Sequence, residues 1–468
     1  MRTQRKNSKC YEEYGISSGV KESIRILIYS RVVIFFLQLL STLLLPEAPT
    51  DAYKYDYNID DNSLLSKTTF YVLRGYSRWD GQHFMNIAKN GYKWESTLAF
   101  QPLYPTIVGL LSKLVFFLPE DIGILLVGVI LSNICFVMAG TLLHYIISHI
   151  FFINSHTRKI AIIIFAYNPS SIFFSSMYTE SLYSFLTFLG IYYLYIEQQL
   201  YKSVVGTSII FSLALLTRTN GILNIGYIGY KLLSLWMSEK VTTRRFAGLL
   251  ILSFIILTLP LKIYEYMVQK NFCSQQPLNI IVSSAGRGKF IYPGDIKNLS
   301  WCPVTGYYIP SLFLPLFYSV IQKKYWDVGL FSYWQLKKIP NFIIAGPTIC
   351  YIFYASKFVI MKTLNIKNHN TVIFPLRSLL PFSLHSSFLA LTAIFIYNVE
   401  VSTRILFSSN PFIPMSLALL FSTAYKQRWN NFPFDLIWNE SPISLYFYYN
   451  LFLFAVGTIG HCVWLPYV

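Results

Sequence analysis

Long apolar runs separated by short polar joints recur along the whole chain, and one polar stretch stands apart from that rhythm. The first run, Ile26 to Leu45, is interrupted by Ser30, Arg31 and a few other polar groups and has the length of a membrane helix. Further runs lie at 123–152, 160–177, 181–196, 204–236, 247–268, 340–360, 379–398, 404–424 and 446–467. The 204–236 run is long enough for two spans, and a shorter run at 103–118 suits a span or an interfacial helix. Together they predict an all-α polytopic membrane protein with about ten or eleven spans. No Gly/Ser/Pro linker, internal repeat or low-complexity tract divides the chain, so residues 1–468 read as one domain.

Charge orients these runs. Residues 1–25 carry Arg2, Arg5, Lys6, Lys9, Lys21 and Arg25 against Glu12, Glu13 and Glu22, which places the N-terminus in the cytosol. No small-x-small cleavage site ends the first run, so it reads as an uncleaved anchor. Segment 46–99 then faces the lumen, with Glu47, Asp51, Asp56, Asp60, Asp61, Asp80 and Glu95 outweighing its basic residues. A polar loop of that length is usually functional. The basic clusters Arg158-Lys159, Lys240 with Arg244 and Arg245, and Lys362 with Lys367 fall in alternate loops, as cytosolic joints should. Segment 269–338 holds Pro310, Pro315 and the pairs Lys323-Lys324 and Lys337-Lys338 without a clear span; it is expected as a second luminal segment. The sequon Asn298-Leu299-Ser300 is expected in the lumen, and Asn439-Glu440-Ser441 in the cytosol.

Composition agrees with the pattern. With 54% hydrophobic and 13% charged residues, a soluble domain could not cover its surface. The 18% aromatic content suits much area at headgroup depth. The formal charge of +17 comes without a basic stripe or nucleic-acid motif. It fits loops facing an anionic leaflet, and no nucleic-acid partner is expected. The cysteines show no zinc spacing: Cys10 and Cys135 read as cytosolic or buried. Cys273 and Cys302 either pair in an oxidising compartment or stay as buried free thiols.

Chemistry concentrates where polar groups break the apolar rhythm. Arg78-Trp79-Asp80-Gly81-Gln82-His83 sits in the acidic first loop, and a carboxylate just outside the bilayer is the first candidate for catalysis. Phe84, Ile87 and Ala88 at helical spacing, with an Asn90-Gly91 stop, leave a second reading. Asp80 could cap a short amphipathic helix, or stand third after a Ser77 cap. In Gln101-Pro102-Leu103-Tyr104-Pro105 the prolines fix the chain as it returns to the membrane, as a tight turn or a simple helix start. Asn168-Pro169 and Glu180 mark another break, and Thr217-Arg218-Thr219-Asn220-Gly221 a third. An arginine between apolar runs must be paired or meet an anion, and a guanidinium suits phosphate. An interhelical salt bridge is the other reading of Arg218. Arg404 and His461, at span ends on the same face, are weaker members of this set. No dinucleotide, Walker, zinc-protease or serine-hydrolase motif is present, and no acidic motif has the spacing of a metal cage. Neither a cofactor nor a metal is expected, and a donor already in the lipid is.

At these residues the chain resembles the PIG-V family, the second mannosyltransferase of glycosylphosphatidylinositol (GPI) anchor assembly, within the GT-C class. The matching blocks are SRWDGQHFMNIAKNGY, AFQPLYP, AYNPSSIFFSSMYTESLYS, LLTRTNGIL, YWDVGLFSYWQLKKIPNF, VEVSTRILFSSNPF and GTIGHCVWLP, in consistent order from about residue 77 to the end. The resemblance implies a GT-C-like bundle in the endoplasmic reticulum membrane with its active face in the lumen. It implies transfer of an α-1,6-linked mannose from dolichyl-phosphate mannose to the first mannose of the GPI precursor lipid. Trp79 and Asp80 take the essential first-loop positions, and a small accessory membrane subunit is expected as partner. Gln101 and Val401 depart from the family pattern. Two rivals remain: another GT-C dolichyl-phosphate-sugar transferase, acting on N-glycan precursors or protein, and a polytopic lipid transporter or scramblase.

On this reading Asp80 is the catalytic base. Arg78, Trp79, Gln82, His83, Gln101, Tyr104, Asn168, Glu180, Arg218, Asn220, Arg404 and His461 are expected to bind donor or acceptor.

Overall fold

The computed structural model of the protein describes residues 2–59, 63–151, 153–273, 299–302, 311–364, 378–424 and 442–465. The sequons at Asn298 and Asn439, together with Pro310 and Lys367, lie outside the described residues. Among the described residues all regular structure is helical. Helix α1 (Arg2–Leu44) is followed by the short first-loop helices α2 (Leu64–Leu73) and α3 (Asp80–Asn90) and by α4 (Leu103–Ser112). Next come α5 (Glu120–His149), α6 (Ser155–Ala166), α7 (Glu180–Ile196), α8 (Leu200–Leu215), α9 (Ile225–Met237) and α10 (Thr243–Cys273). The remainder are α11 (Leu316–Trp326), α12 (Ile339–Leu364), α13 (Leu380–Phe395), α14 (Ser402–Ser409), α15 (Phe412–Ala424) and α16 (Pro442–Cys462).

Every predicted apolar run is at least partly helical, but fewer helices than expected have full membrane length. Five among the described residues are long and apolar enough to cross a bilayer, and the pair α14–α15, bent by 76°, makes a sixth if it counts as one span. The others are shortened where the sequence stops a helix. Asn168-Pro169 follows the end of α6, and the polar Thr217–Asn220 stretch separates α8 from α9. The bend after α14 falls at Asn410-Pro411, because proline offers no amide hydrogen to continue the ladder.

The helices are lipid-type surfaces turned inside out. On α1, Ile28, Phe36 and Leu40 are exposed while Ser30, Arg31 and Gln38 are buried, which hides polar groups from hydrocarbon. Arg31 donates to the carbonyls of Ala166 and Ser171 and to the Ser175 hydroxyl, each at 3.0 Å. It thereby holds the irregular 167–179 segment that leads into α7.

The two ends of the bundle differ. At one, Lys159 pairs with Glu22 at 2.6 Å, and Ser23 meets His144 at 2.8 Å, gathering the start of the apolar half of α1 and the start of α6 with the end of α5. At the other, Arg78 pairs with Glu47 at 2.6 Å just beyond α1. There Asp121, at the start of α5, binds Lys89 of α3 at 2.6 Å. The first loop is therefore folded over the end opposite the basic joint. Cys273 and Cys302 form a disulfide with Cα atoms 5.6 Å apart. It fastens the end of α10 to a segment whose Trp301 donates to Glu95 of the first loop at 2.9 Å. Lys324 and Tyr325 reach the same carboxylate at 2.5 and 2.8 Å, so α11 is tied down beside the loop.

Candidate active site

At the first-loop end lies a cavity of about 820 Å³ with Asp80 on its wall. Two of the breaks in the helices, at 167–179 and 217–220, contribute to its lining. The 167–179 segment is joined to the first loop by the Met177 amide, which donates to the Tyr76 carbonyl at 3.0 Å. The Tyr178 hydroxyl accepts from the Asp80 amide at 3.1 Å and donates to the Arg78 carbonyl at 2.9 Å. Between those two contacts Trp79 is held at φ 54°, a left-handed conformation that a bulky side chain rarely adopts without support. The turn aims Asp80 into the cavity as the first residue of α3.

Neither capping arrangement is present: no side-chain bond caps α3, and Ser77 donates instead to the Arg74 carbonyl at 3.2 Å. The Asp80 carboxylate pairs with Arg404 of α14 at 2.8 Å. Burial pushes this carboxyl up, but Arg404, helped by the weaker pulls of His83 and Arg218, more than offsets it and holds the group below the usual carboxylate range. The α3 helix N-terminus also favours its charge.

Glu180 opens α7 in the same way, fully buried behind the cavity wall. It pairs with Arg218, which also donates to the Thr179 hydroxyl at 3.0 Å. Arg404 Nε lies 3.8 Å from the same carboxylate. Two arginines and two carboxylates from four separate chain segments thus form one chain of charges: Arg218, Glu180, Arg404, Asp80. Asn220 lines the cavity beside them and donates to Ser409 at 2.9 Å.

Much of the remaining lining is aromatic. His83, one helical turn after Asp80, is stacked between Tyr53 and Phe100 with both centroid separations 4.9 Å. Burial pushes its imidazole down to about 4, against the opposing pull of Asp80, so it is neutral at physiological pH. Trp326 of α11 and Gln101 complete this side. The strap carrying Tyr53 is pinned below the cavity. There Gln82 accepts from the Tyr55 amide at 2.7 Å, and Asp121 accepts from the Tyr55 hydroxyl at 2.9 Å.

Of the residues expected from sequence, Trp79, Asp80, His83, Gln101, Arg218, Asn220 and Arg404 line this cavity. Glu180 stands directly behind its charged wall. The other five do not reach it. Arg78 pairs with Glu47 and lies over the Trp464 ring at 5.0 Å. Gln82 holds the Tyr55 strap. Tyr104 is buried between α4 and α5, bonded to the Gly128 carbonyl at 3.1 Å. Asn168 closes its own turn, accepting from the Ser170 amide at 2.9 Å. His461 is buried against Phe173 and Tyr178, with centroids 5.1 and 5.6 Å away. Tyr53, Tyr318, Trp326 and Glu400 line the cavity without having been singled out. Only folding brings these common residue types together. Among the described residues no three His, Cys, Asp or Glu side chains gather into a metal-ligand group.

A wide cavity with a charged wall and an aromatic side can hold a phosphate and a sugar side by side. Residues 20–468 match the family described as Mannosyltransferase (PIG-V). GPI mannosyltransferase 2 of Drosophila pseudoobscura pseudoobscura is 29% identical, with 82% of this chain and 87% of that protein covered. GPI alpha-1,6-mannosyltransferase 2 of Homo sapiens is 27% identical over 84% of this chain and 82% of that protein. The mouse enzyme of the same name is 30% identical over 72% of this chain and 68% of that protein. Among solved structures, the Archaeoglobus fulgidus oligosaccharyltransferase aligns with a TM-score of 0.44 at 12% identity. That alignment covers 92% of this chain, which spans about half the length of that protein (53%).

Proposed function

The chain belongs to the PIG-V mannosyltransferase family, and from that premise we propose that it adds the second mannose of the GPI anchor. The donor is dolichyl-phosphate mannose, and the acceptor is the first mannose of the GPI precursor lipid. The new bond is α-1,6, as the names of the mammalian relatives state for those proteins. The reaction takes place at the luminal face of the endoplasmic reticulum. Two observations support that side: the cavity lies at the end away from the basic α5–α6 joint, and the Cys273–Cys302 disulfide lies on the cavity side.

The observation that carries the reading is the charge chain. A β-linked phosphate donor that gives an α product reacts with inversion, by one in-line displacement with oxocarbenium character. The acceptor hydroxyl needs a base, a role that a carboxylate fills in inverting sugar chemistry. Asp80 takes that proton. Its carboxyl is held low, so it is ionised at neutral pH and accepts the proton late, when the new bond has largely formed.

Arg404 links the two halves of the reaction. It holds Asp80 at 2.8 Å before transfer. When the carboxylate is protonated, that hold weakens just as the departing phosphate gains charge. Arg404 and Arg218 are then free to bind the leaving dolichyl phosphate, with Glu180 keeping both guanidinium groups in place.

Depletion of the protein tests the assignment of the step. A GPI intermediate carrying one mannose should accumulate, and re-expression should clear it. An unchanged GPI profile on depletion overturns the proposal.

A further inference from the structure

Around the aromatic side, three residues that line the cavity carry buried polar atoms without any partner in the protein. Gln101 is only 3% exposed, and neither Oε1 nor Nε2 has a hydrogen bond. His83 Nδ1 and Trp79 Nε1 are likewise buried and unpartnered, and all three residues line the cavity. A buried amide left without partners is destabilising, and an apolar side chain would fill the same space without that penalty.

The Gln101 backbone is rigidly placed. It is followed by Pro102, and the next amide, Leu103, donates to the Leu216 carbonyl at 3.0 Å, two residues before Arg218. The His83 ring cannot turn toward another partner, because Tyr53 and Phe100 cover both its faces. Only its edge remains to meet a ligand.

The ligand chemistry follows from these groups. Gln101 offers an acceptor and a donor side by side, His83 offers one more neutral site, and the Trp79 indole offers a donor. None is charged, so together they suit adjacent hydroxyl groups rather than an anion. The anion has its own place at Arg218 and Arg404. His83 stands three residues after Asp80 on the same helix face, about 5–6 Å away between Cβ atoms, which is comparable to the width of one sugar ring.

We propose that Gln101, with the edges of His83 and Trp79, forms a subsite that reads the hydroxyl groups of a hexopyranose ring presented to Asp80. The ring belongs to the donor mannose or to the acceptor mannose, and the subsite rests on the transferase reading given above. Gln101 binds the ring and takes no part in proton transfer.

The test uses the purified full-length protein with dolichyl-phosphate mannose and a one-mannose GPI acceptor, varying each in turn. Gln101→Leu keeps the side chain's bulk and removes both hydrogen-bonding atoms. It should raise KM for one of the two substrates by about 10-fold or more, with kcat changed much less, corresponding to one or two lost hydrogen bonds. The substrate whose KM moves identifies the ring. His83→Phe, which keeps the stack and loses only the imidazole edge, should shift the same KM and carries the test if Gln101→Leu does not accumulate. KM values for both substrates within twofold of wild type, with Gln101→Leu more resistant to unfolding, would show a merely structural amide and overturn the subsite. A wild type that transfers no mannose refutes the transferase reading and the subsite with it. Normal transfer with unmoved KM values refutes the subsite alone.

Discussion

Breaking the Glu180–Arg218 pair should cost more than an ordinary surface ion pair. Glu180 Oε1 is fully buried and bonded to Arg218, whose side chain is 16% exposed. Glu180→Gln preserves shape but leaves Arg218, and Arg404 Nε at 3.8 Å, without their shared counter-charge. Removing one partner of a fully buried pair costs about 3–5 kcal/mol. Arg218 keeps some contact with the cavity and its 3.0 Å bond to Thr179, so the lower range of about 2–3 kcal/mol for a charge-assisted bond is the better expectation. Arg218→Leu should cost a similar amount, since it strands the Glu180 carboxylate. The double variant strands neither group, so it should be less damaged than the sum of the singles by about 1.5–2 kcal/mol. The assay is denaturant unfolding of the detergent-solubilised protein for all four corners of this cycle. Single-variant losses that add to within about 0.5 kcal/mol in the double variant would refute the charge chain as a coupled unit.

Four further outcomes follow from other parts of the structure. Gly221→Ala should cut transfer sharply at little cost in abundance: a Cβ there would sit 2.7 Å from the Leu215 amide nitrogen and 2.8 Å from its Cα. The Arg218–Asn220 turn would have to move away from α8, and unchanged turnover would contradict that. Under alkylation of the unfolded protein without reductant, Cys350 should be labelled while Cys273 and Cys302 stay protected; labelling of the pair before reduction would rule out the disulfide. The disulfide spans 29 residues, and Cys302→Ser should lower stability by about 3 kcal/mol. Stability should decline as pH falls from about 6.5 towards 4, because the unfolded His83 takes up a proton that the buried ring, pushed down to about 4, refuses. This contribution is complete above the unfolded value and lost through the folded one. His83→Phe should therefore flatten the slope in that window, and identical slopes would contradict the burial argument.

Much of the architecture was legible because lipid imposes a simple rule: backbone polar groups must be satisfied internally, so apolar runs become helices. The breaks at Pro169 and Gly221 were legible for the same local reason, since those residues interrupt helices. Span count was less legible, because hydropathy does not show where α6 or α14 will stop and bend inside an apolar stretch. At the site, Asp80 and Arg218 stood out as charges beside apolar runs. Glu180 and Arg404 were singled out as well, but nothing in the sequence showed which charges would pair. Arg404 lies 324 positions from Asp80, and Glu180 could as well have been a helix-start acid. Gln82, Tyr104 and Asn168 misled because they share motifs with cavity residues while facing the other way. Along α3, Gln82 is one position from His83, which turns it by about 100° to the strap side. Tyr53 and Trp326 carried no signal, since aromatic residues abound in this chain and only the fold selects these two.

Mannose transfer by purified Asp80→Asn protein tests the central claim most directly. Asparagine keeps the shape of the side chain and can still accept a hydrogen bond from Arg404, but it cannot take up the acceptor proton. With dolichyl-phosphate mannose and a one-mannose GPI acceptor, transfer should fall by roughly 10²-fold or more, with abundance close to wild type. Near-normal transfer by Asp80→Asn would contradict the account.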